Sequence, residues 1–324
     1  MSKITILDVA KKSGFAVGTV SRVLSNDISV KDSTRQKILK VIDELHYTPN
    51  VNGARLRLKH SGVIAVMVPV INHPFFAEFV EYVEQIAMEN KYSLLLVTSQ
   101  MNKEREKEIL KKIRQKEIDG AIFVTHYSHD EKELINLPLV SIDRHLANFV
   151  PCITSNNYDS TKEAIEQLIA SGAKKIGYIG TKPLVDSEVL LREKAYLDVI
   201  KEHQLEPRFM NEVIDHGEEE KLVDKFLDSY KDLDAIFASN SVLSQIVYSK
   251  LVSRGAKFPN DIQLIGYDGL VKEIRSLMPI TTIYQPIQEM ANTAFRVLKQ
   301  IIDEEEVDQI YVLNTTINKG ITTK

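Results

Sequence analysis

The 324-residue sequence predicts a small all-α unit at the N-terminus followed by an α/β body of two doubly wound parallel-sheet lobes. Three observations carry that prediction. The first sixty residues show helical periodicity and almost no strand pattern. From Gly62 onward, short apolar strands alternate with amphipathic helices, and continuous apolar strands belong to sheets covered on both faces. A comparable number of strand–helix units falls on either side of residue 158, which divides the body into two lobes. The length agrees, since a chain this long exceeds one small core and implies two or three folded units.

Within the N-terminal unit, Thr5 followed by Asp8 reads as a capping box that opens a helix from Ile6 to Ser13. Gly14 breaks it, and a second helix runs from Val17 to Leu24. The polar stretch from Ser25 to Lys31 leads to a third helix, Ser33 to Leu45, with Asp32 or Ser33 as its cap. Ile38, Val41, Ile42 and Leu45 recur at spacings of three and four, so this helix has one apolar face. Pro49 stops the pattern. Val51 to Leu58 has the makings of one more short helix, too short to be stable alone.

In the body, strands are expected at Val63–Val68, Ser93–Val97, Ala121–Val124, Leu139–Ile142, Ile176–Ile179, Ala235–Ala238 and Gln263–Gly266. Helices are expected at Phe75–Glu89, Lys103–Gln115, Ser160–Ser171, Glu188–His203, Glu218–Tyr230 and Val242–Arg254. Ligands of such folds bind at the carboxyl ends of the strands, which here places a site in the cleft between lobes.

Composition narrows the class. A hydrophobic content of 44% and a charged content of 27% are ordinary for a globular protein. The single cysteine, Cys152, excludes an internal disulfide and is expected as a small buried hydrophobe in a reducing compartment. The longest apolar run, Val63 to Ile71, is far short of the ~20 residues that span a bilayer. No apolar segment follows a basic tip at the start, so no secretory signal is expected and the protein is placed in the cytoplasm. Charge is uneven. Residues 1–60 hold eleven Lys/Arg against five Asp/Glu, a net of +6, while the remainder carries a net of −10. A basic first fifth on an acidic body points either to a polyanion partner or to a merely solvated helical surface.

The ordered set Leu7-Asp8-Val9-Ala10, Ser13-Gly14 and Thr19-Val20-Ser21-Arg22-Val23-Leu24 favours the polyanion. Val9, Ala10, Val20 and Val23 are placed to face inward between two crossing helices, and Gly14 supplies the turn. That leaves Val17, Gly18, Ser21 and Arg22 outward on the second helix, the one that would enter a major groove. Arg22 can donate two hydrogen bonds to guanine O6 and N7, while the Thr19 and Ser21 hydroxyls suit phosphates.

These residues resemble the lactose/galactose-repressor family of bacterial transcription regulators. The matching motifs run in order along the chain: DVA–SG–TVSRVL at 8–24, Tyr47-x-Pro49-Asn50, a segment ending in Leu56, Pro74-Phe75-Phe76, Ile118-Asp119-Gly120, Asp143-Arg144, Ala238-Ser239-Asn240, Ile265-Gly266-Tyr267-Asp268-Gly269, and Thr281 to Pro286. The resemblance implies a helix-turn-helix headpiece at 1–49, a hinge at 50–60, and a periplasmic-binding-protein-like effector and dimerisation domain at 61–324. Lobe 1 is expected at about 61–158 and 286–312, and lobe 2 at about 159–285 and 313–324. It implies a homodimer on near-palindromic double-stranded operator DNA, with Leu56 wedged into the minor groove and Arg55 and Arg57 on flanking phosphates. Thr5, Asn26, Thr34 and Asn50 complete the candidate DNA contacts.

The chain also departs from the family pattern. Phe15-Ala16 stands where Val-Ser is usual, removing a cap hydroxyl. Val17 and Gly18 offer no side-chain hydrogen bonds at positions that help choose the operator, though Val17 can touch a thymine methyl. Gly53 stands in place of Ala, which should weaken the hinge helix by ~1 kcal/mol. Asn156-Asn157 replaces Asp-Asn, and Ser241 replaces an acidic residue.

For the cleft, the resemblance implies a sugar or sugar-phosphate effector held by Phe75, Phe76, Asp143, Arg192, Asn240, Asp268 and Gln285. Carboxylates and Arg suit hydroxyls that both donate and accept. Phe75 and Phe76 begin an amphipathic helix, so at least one is expected in the core. Asp143 has the alternatives of pairing with Arg144 or capping a turn. The runs at 142–144, 265–269 and 283–286 look most like the sucrose-repressor branch, pointing to sucrose, fructose or a phosphorylated relative. The dimer is expected to use helices near Phe75–Glu89 and Val242–Arg254, and without a leucine heptad before Lys324 no tetramer is expected.

Rival readings are a sugar-binding protein without regulatory role, a regulator activated by a corepressor, and a Rossmann-type enzyme. No G-x-G-x-x-G, phosphate-loop, G-x-S-x-G or H-E-x-x-H motif is present, so neither enzyme nor cofactor is expected. His126 and His129 hint at a metal, but two loop histidines without a third ligand are expected to face solvent.

Overall fold

The computed structural model describes residues 4–47, 60–100, 102–125, 127–185, 187–215, 217–269 and 279–324. The chain divides into two compact units, Met1–Ser61 and Gly62–Lys324.

In the first unit, α1 (Ile6–Ser13), α2 (Val17–Leu24) and α3 (Asp32–Glu44) bury Val9, Ala10, Val20, Val23 and Ile38 together with Val30 and Tyr47. The capping box is present: the Thr5 backbone N–H and hydroxyl each donate to the Asp8 carboxylate at 2.8 Å. Gly14 ends α1 with φ +75°, and its N–H returns to the Ala10 carbonyl at 3.0 Å. The N-cap of α2 is Ala16, which supplies no side-chain cap, and Phe15 packs against the core instead. The third helix corrects an expectation. Its cap is Lys31, with no side-chain cap bond, and Asp32 lies in the first turn, where its charge complements the helix dipole.

The body opens with β1 (Val63–Val68), α4 (Pro74–Glu89), β2 (Ser93–Thr98), α5 (Lys103–Arg114), β3 (Gly120–Phe123), the one-turn α6 (Glu131–Leu134), β4 (Leu139–Ile142) and β5 (Cys152–Ser155). It continues with α7 (Asn157–Ala170), β6 (Ile176–Thr181), α8 (Leu190–Glu202), β7 (Arg208–Glu212), α9 (Glu219–Ser229), β8 (Ala235–Ala238), α10 (Ser241–Ser253), β9 (Gln263–Gly266) and β10 (Thr281–Tyr284). Then come α11 (Ile287–Ile302), β11 (Ile310–Leu313) and β12 (Thr316–Asn318).

One six-stranded sheet has the order β11-β5-β4-β3-β1-β2, and the other β12-β10-β9-β8-β6-β7. All pairings are parallel except β10 with β12. Among the described residues the chain therefore passes between the lobes three times: between β5 and α7, between β10 and α11, and between β11 and β12. Alternation along the strands fills a core on each sheet face. In β1, Ile64, Val66 and Val68 enter one cluster and Ala65 and Met67 the other; in β8, Ala235 and Phe237 separate from Ile236 and Ala238 in the same way.

Five strands, the one-turn α6 and α11 were not among the expected elements. β7, β11 and β12 carry exposed residues and lie at or near sheet edges, so they lack a continuous apolar run. The α11 spacing was legible, with Ile287, Met290, Ala291, Ala294 and Leu298 on one buried face. Among the described residues no helix is long and apolar enough to cross a membrane.

Candidate functional sites on the N-terminal unit and between the lobes

On α2, Gly18 and Arg22 are exposed, and Thr19 and Ser21 are half-buried. The Arg22 Nε lies 3.4 Å from the Gly18 carbonyl, a contact over its own helix surface that leaves the rest of the guanidinium outward. Val17 is not fully outward as expected. It is half-buried against the three-helix core, so only part of its surface is available to a groove. Thr5 is engaged with Asp8, Thr34 lies half-buried in the first turn of α3, and the exposed Asn26 accepts from Arg35 Nη1 at 3.3 Å. Asn50, Arg55, Leu56 and Arg57, the helix expected at 51–58, and His126 lie outside the described residues.

Between the lobes lies a cavity of about 450 Å³, within the size range of small-molecule sites. Phe75, Phe76, Asp143, Arg192, Asn240, Asp268 and Gln285 all line it. They converge because each follows a strand end. Phe75 and Phe76 open α4 after β1, Asp143 follows β4, Asn240 follows β8, Asp268 follows β9, Gln285 follows β10, and Arg192 lies in the first turn of α8. Both carboxylate residues take the left-handed backbone, Asp143 with φ +57° and Asp268 with φ +74°, a region that Asp enters more readily than most residues. Phe75 is only 5% exposed and stacks on Phe79, so it is chiefly core; Phe76, half-buried beside His73, offers the larger ring surface.

The polar groups are already ordered. Arg192 donates from Nε to Asn157 Oδ1 at 2.6 Å and from Nη1 to the Ser239 carbonyl at 2.6 Å and Asp268 Oδ1 at 3.3 Å. Its Cζ lies 3.5 Å from the Tyr267 ring centroid. Gln285 Nε2 donates to Asp268 Oδ1 at 2.8 Å, while its buried Oε1 has no hydrogen-bond partner among the described residues. Asn240 spends its carbonyl capping α10 on Leu243 N at 2.9 Å, leaving its amide toward Thr181 at 3.5 Å. Asp143 accepts from Thr154 Oγ1 at 2.7 Å. Its backbone carbonyl takes bonds from Ser187 Oγ at 2.7 Å and Glu188 N at 3.0 Å, tying the lobes together.

Burial raises the Asp143 carboxyl, opposed by the Arg192 charge and the Thr154 hydroxyl. For Arg192, burial works against the charge, but Tyr267, Asp268 and Asp143 outweigh it and hold the guanidinium protonated. Burial brings Arg144, also on the cavity wall, down to about 10 against the pull of Glu106 and Asp143.

Sequence reasoning missed several wall residues, including Thr125, Tyr127, Arg144 and Ser187. Position at a strand end was the available signal for the first three. The solvent-facing expectation for His129 is corrected. Its side chain is fully buried, with Nε2 at 2.6 Å from Glu106 Oε2, and the same carboxylate accepts from Thr125 Oγ1 at 2.6 Å. Burying Glu106 requires partners, and these two supply them. Among the described residues no group of three or more His, Cys, Asp or Glu is arranged to hold a metal.

A three-helix unit with an outward Arg on its second helix, ahead of a two-lobed body with an inter-lobe cavity, defines the class of ligand-responsive transcription regulators. A family model for bacterial regulatory proteins of the lacI family matches residues 5–50, and one for periplasmic binding proteins and the sugar binding domain of the LacI family matches residues 61–319. The chain belongs to the LacI family. It is 30% identical to a ribose operon repressor of Halalkalibacterium halodurans over 99% of this chain and 97% of that one. It is also 30% identical to a sucrose operon repressor of Lactococcus lactis subsp. lactis over 98% and 99%. The fold matches the lac repressor dimer bound to operator and the anti-inducer ONPF, with TM-score 0.85, 22% identity and 99% of both chains covered.

Proposed function

We propose that the protein is a cytoplasmic homodimeric repressor of a sugar-utilisation operon, acting by binding rather than catalysis. Its N-terminal units grip a near-palindromic operator, with Arg22 reading bases and Thr5, Val17, Gly18, Thr19, Ser21, Asn26, Thr34, Asn50, Arg55, Leu56 and Arg57 completing the contacts. A sugar in the inter-lobe cavity weakens that grip. The observation that carries this reading is a cavity, formed by both lobes, in which carboxylates, guanidinium groups, two amides and an aromatic face converge.

Lining charges favour a neutral sugar over a phosphorylated one. Asp143, Asp215, Glu219 and Asp268 face Arg144, Lys182 and Arg192, and Arg192 is already engaged by Asn157, Ser239 and Asp268. A sugar of the sucrose or fructose type is our assignment. The equal identity to the ribose and sucrose repressors makes ribose its direct competitor. Exposed Met88 on α4 and Val252 on α10 support the use of those helices in the dimer.

The test is operator binding by fluorescence anisotropy, using the promoter fragment nearest the gene, at fixed salt, with sucrose, fructose, ribose and their phosphates. Release by a neutral sugar is expected. Absence of any sequence preference, or release by none of the sugars, overturns the reading. In the same assay Arg22→Ala should lose ~1–3 kcal/mol of discrimination between operator and scrambled duplex.

A further inference from the structure

Asp143 and Asp268 stand on opposite lobes, and a continuous buried chain of side chains joins them. From Asp268 it passes to Arg192 Nη1 (3.3 Å), from Arg192 Nε to Asn157 Oδ1 (2.6 Å), from Asn157 Nδ2 to Thr154 Oγ1 (3.1 Å), and from Thr154 Oγ1 to Asp143 Oδ1 (2.7 Å). Every member is at most 9% exposed, so bulk water offers little alternative.

The direction of the chain follows from chemistry. A guanidinium only donates, so the atom Asn157 turns to Arg192 is its carbonyl oxygen. Its amide must then face Thr154 and the Ser155 carbonyl, the latter at 3.0 Å. Thr154 receives that N–H on its oxygen and has one proton to give. The choice is the Asp143 carboxylate at 2.7 Å or the Ser155 carbonyl at 3.4 Å, and the shorter, charge-assisted bond wins. Asn157 is also the first residue after a crossover. Its neighbour Asn156 is bound to the β11–β12 crossover by N–H to Leu313 O and Oδ1 from Thr315 N, each at 3.0 Å.

We propose that Asn157 is the positioning residue that couples the two cavity carboxylates: a one-way relay from Arg192 through Asn157 and Thr154 holds a hydroxyl donor on Asp143 and keeps that carboxylate aimed as a ligand acceptor. The statement about ligand rests on the effector-site reading; the relay itself does not. An aspartate at this position has no N–H, competes for the Thr154 hydroxyl, and takes the donor away from Asp143. The other charges facing Asp143 are Arg192, Asp268 and Glu188, with Cys152 nearby and Arg144 adjacent in sequence.

The test uses full-length protein labelled with 13C at the Asp carboxyls, the Asp143 resonance being assigned with Asp143→Asn, and follows the Asp143 titration midpoint without any effector. Thr154→Val should raise the midpoint by about one pH unit, and Thr154→Ser should leave it near the wild-type value. Asn157→Asp should raise it in the wild-type background and raise it less when Thr154 is already Val, because only through-space repulsion then remains. If Asn157→Asp does not fold, Asn157→Leu serves: it removes the N–H that polarises the Thr154 hydroxyl and leaves the Ser155 carbonyl open as a rival acceptor, so the bond to Asp143 weakens, and the midpoint rises with Thr154 present and stays put with Thr154→Val. Strict additivity, or a Thr154→Val midpoint equal to wild type, overturns the relay. Because no sugar is used, that failure is distinct from a failure of the effector assignment.

Discussion

Arg192→Met is the most informative single perturbation of the cavity. Arg192 is 2% exposed, and Asp268, its ion-pair partner, is 7% exposed. Methionine keeps much of the stem volume over the Tyr267 ring but removes the donors to Asn157, Ser239 and Asp268. Breaking a buried pair from one side costs about 3–5 kcal/mol, mostly because the remaining charge is stranded. For a body of this size that is a fall in melting temperature of about 10 °C. The assay is thermal melting at one fixed protein concentration, since dimerisation makes the melting point depend on concentration.

Two further measurements separate a stranded charge from a simple loss of packing. In the Arg192→Met background, adding Asp268→Asn should restore part of the loss, because it discharges the stranded group. Acid should also narrow the deficit. Arg192 opposes the upward push of burial on Asp143, so without it the Asp143 carboxyl rises further. The folded state then takes up its proton at a higher pH than the unfolded chain, and the deficit, full at neutral pH, shrinks as the pH falls through that raised value. A melt within 2 °C of wild type, or an Asp268→Asn that deepens the loss, refutes the argument.

Three other outcomes follow from single residues. Gly14→Ala should destabilise the N-terminal unit by about 1 kcal/mol through its backbone alone, since φ is +75° and a Cβ there meets nothing within 4 Å; far-UV circular dichroism melting of the helical signal checks it. The Asp8 carboxyl is held below its ordinary value by the backbone N–H and hydroxyl of Thr5. Its support for α1 is therefore complete above the ordinary carboxylate range and lost as the pH falls through the lowered value, and Asp8→Asn should flatten that acid response in the helical signal. Burial pushes the Cys152 thiol up to about 12, so it should resist a thiol-reactive dye at pH 8 until denaturant exposes it. Prompt labelling of the native protein would contradict its buried position.

The sequence was most legible where one physical signal dominated. The strands β1, β4, β8 and β9 are buried on both faces, so a bare apolar run marked them. Asp143 and Asn240 stand where an apolar run turns polar, at Ile142-Asp143 and Ala238-Ser239-Asn240, whereas the full set of cavity residues followed from the family resemblance. Edge strands such as β7 gave no such run. Position along the chain also could not show that Asn157 and Arg192, 35 residues apart, would share a hydrogen bond, or that Glu106 would reach His129 beneath α5. Those contacts depend on three-dimensional crossing of elements, which periodicity does not encode.

The division of labour in the cavity explains why its occupant can act as a switch. Asp143 belongs to the first sheet's strand ends and Arg192, Asn240 and Asp268 to the second's, so a ligand that engages all four binds better when the lobes hold one particular spacing. Only that difference in affinity between spacings can shift the equilibrium, and coupling of ~1–3 kcal/mol is typical for such linkage. Direct contacts also join the lobes, from Ser187 and Glu188 to the Asp143 carbonyl and from Tyr284 to Glu78 at 3.1 Å. A ligand therefore acts on a spacing that these contacts also help to set. The energy available for control is the part of its binding that those contacts do not already supply.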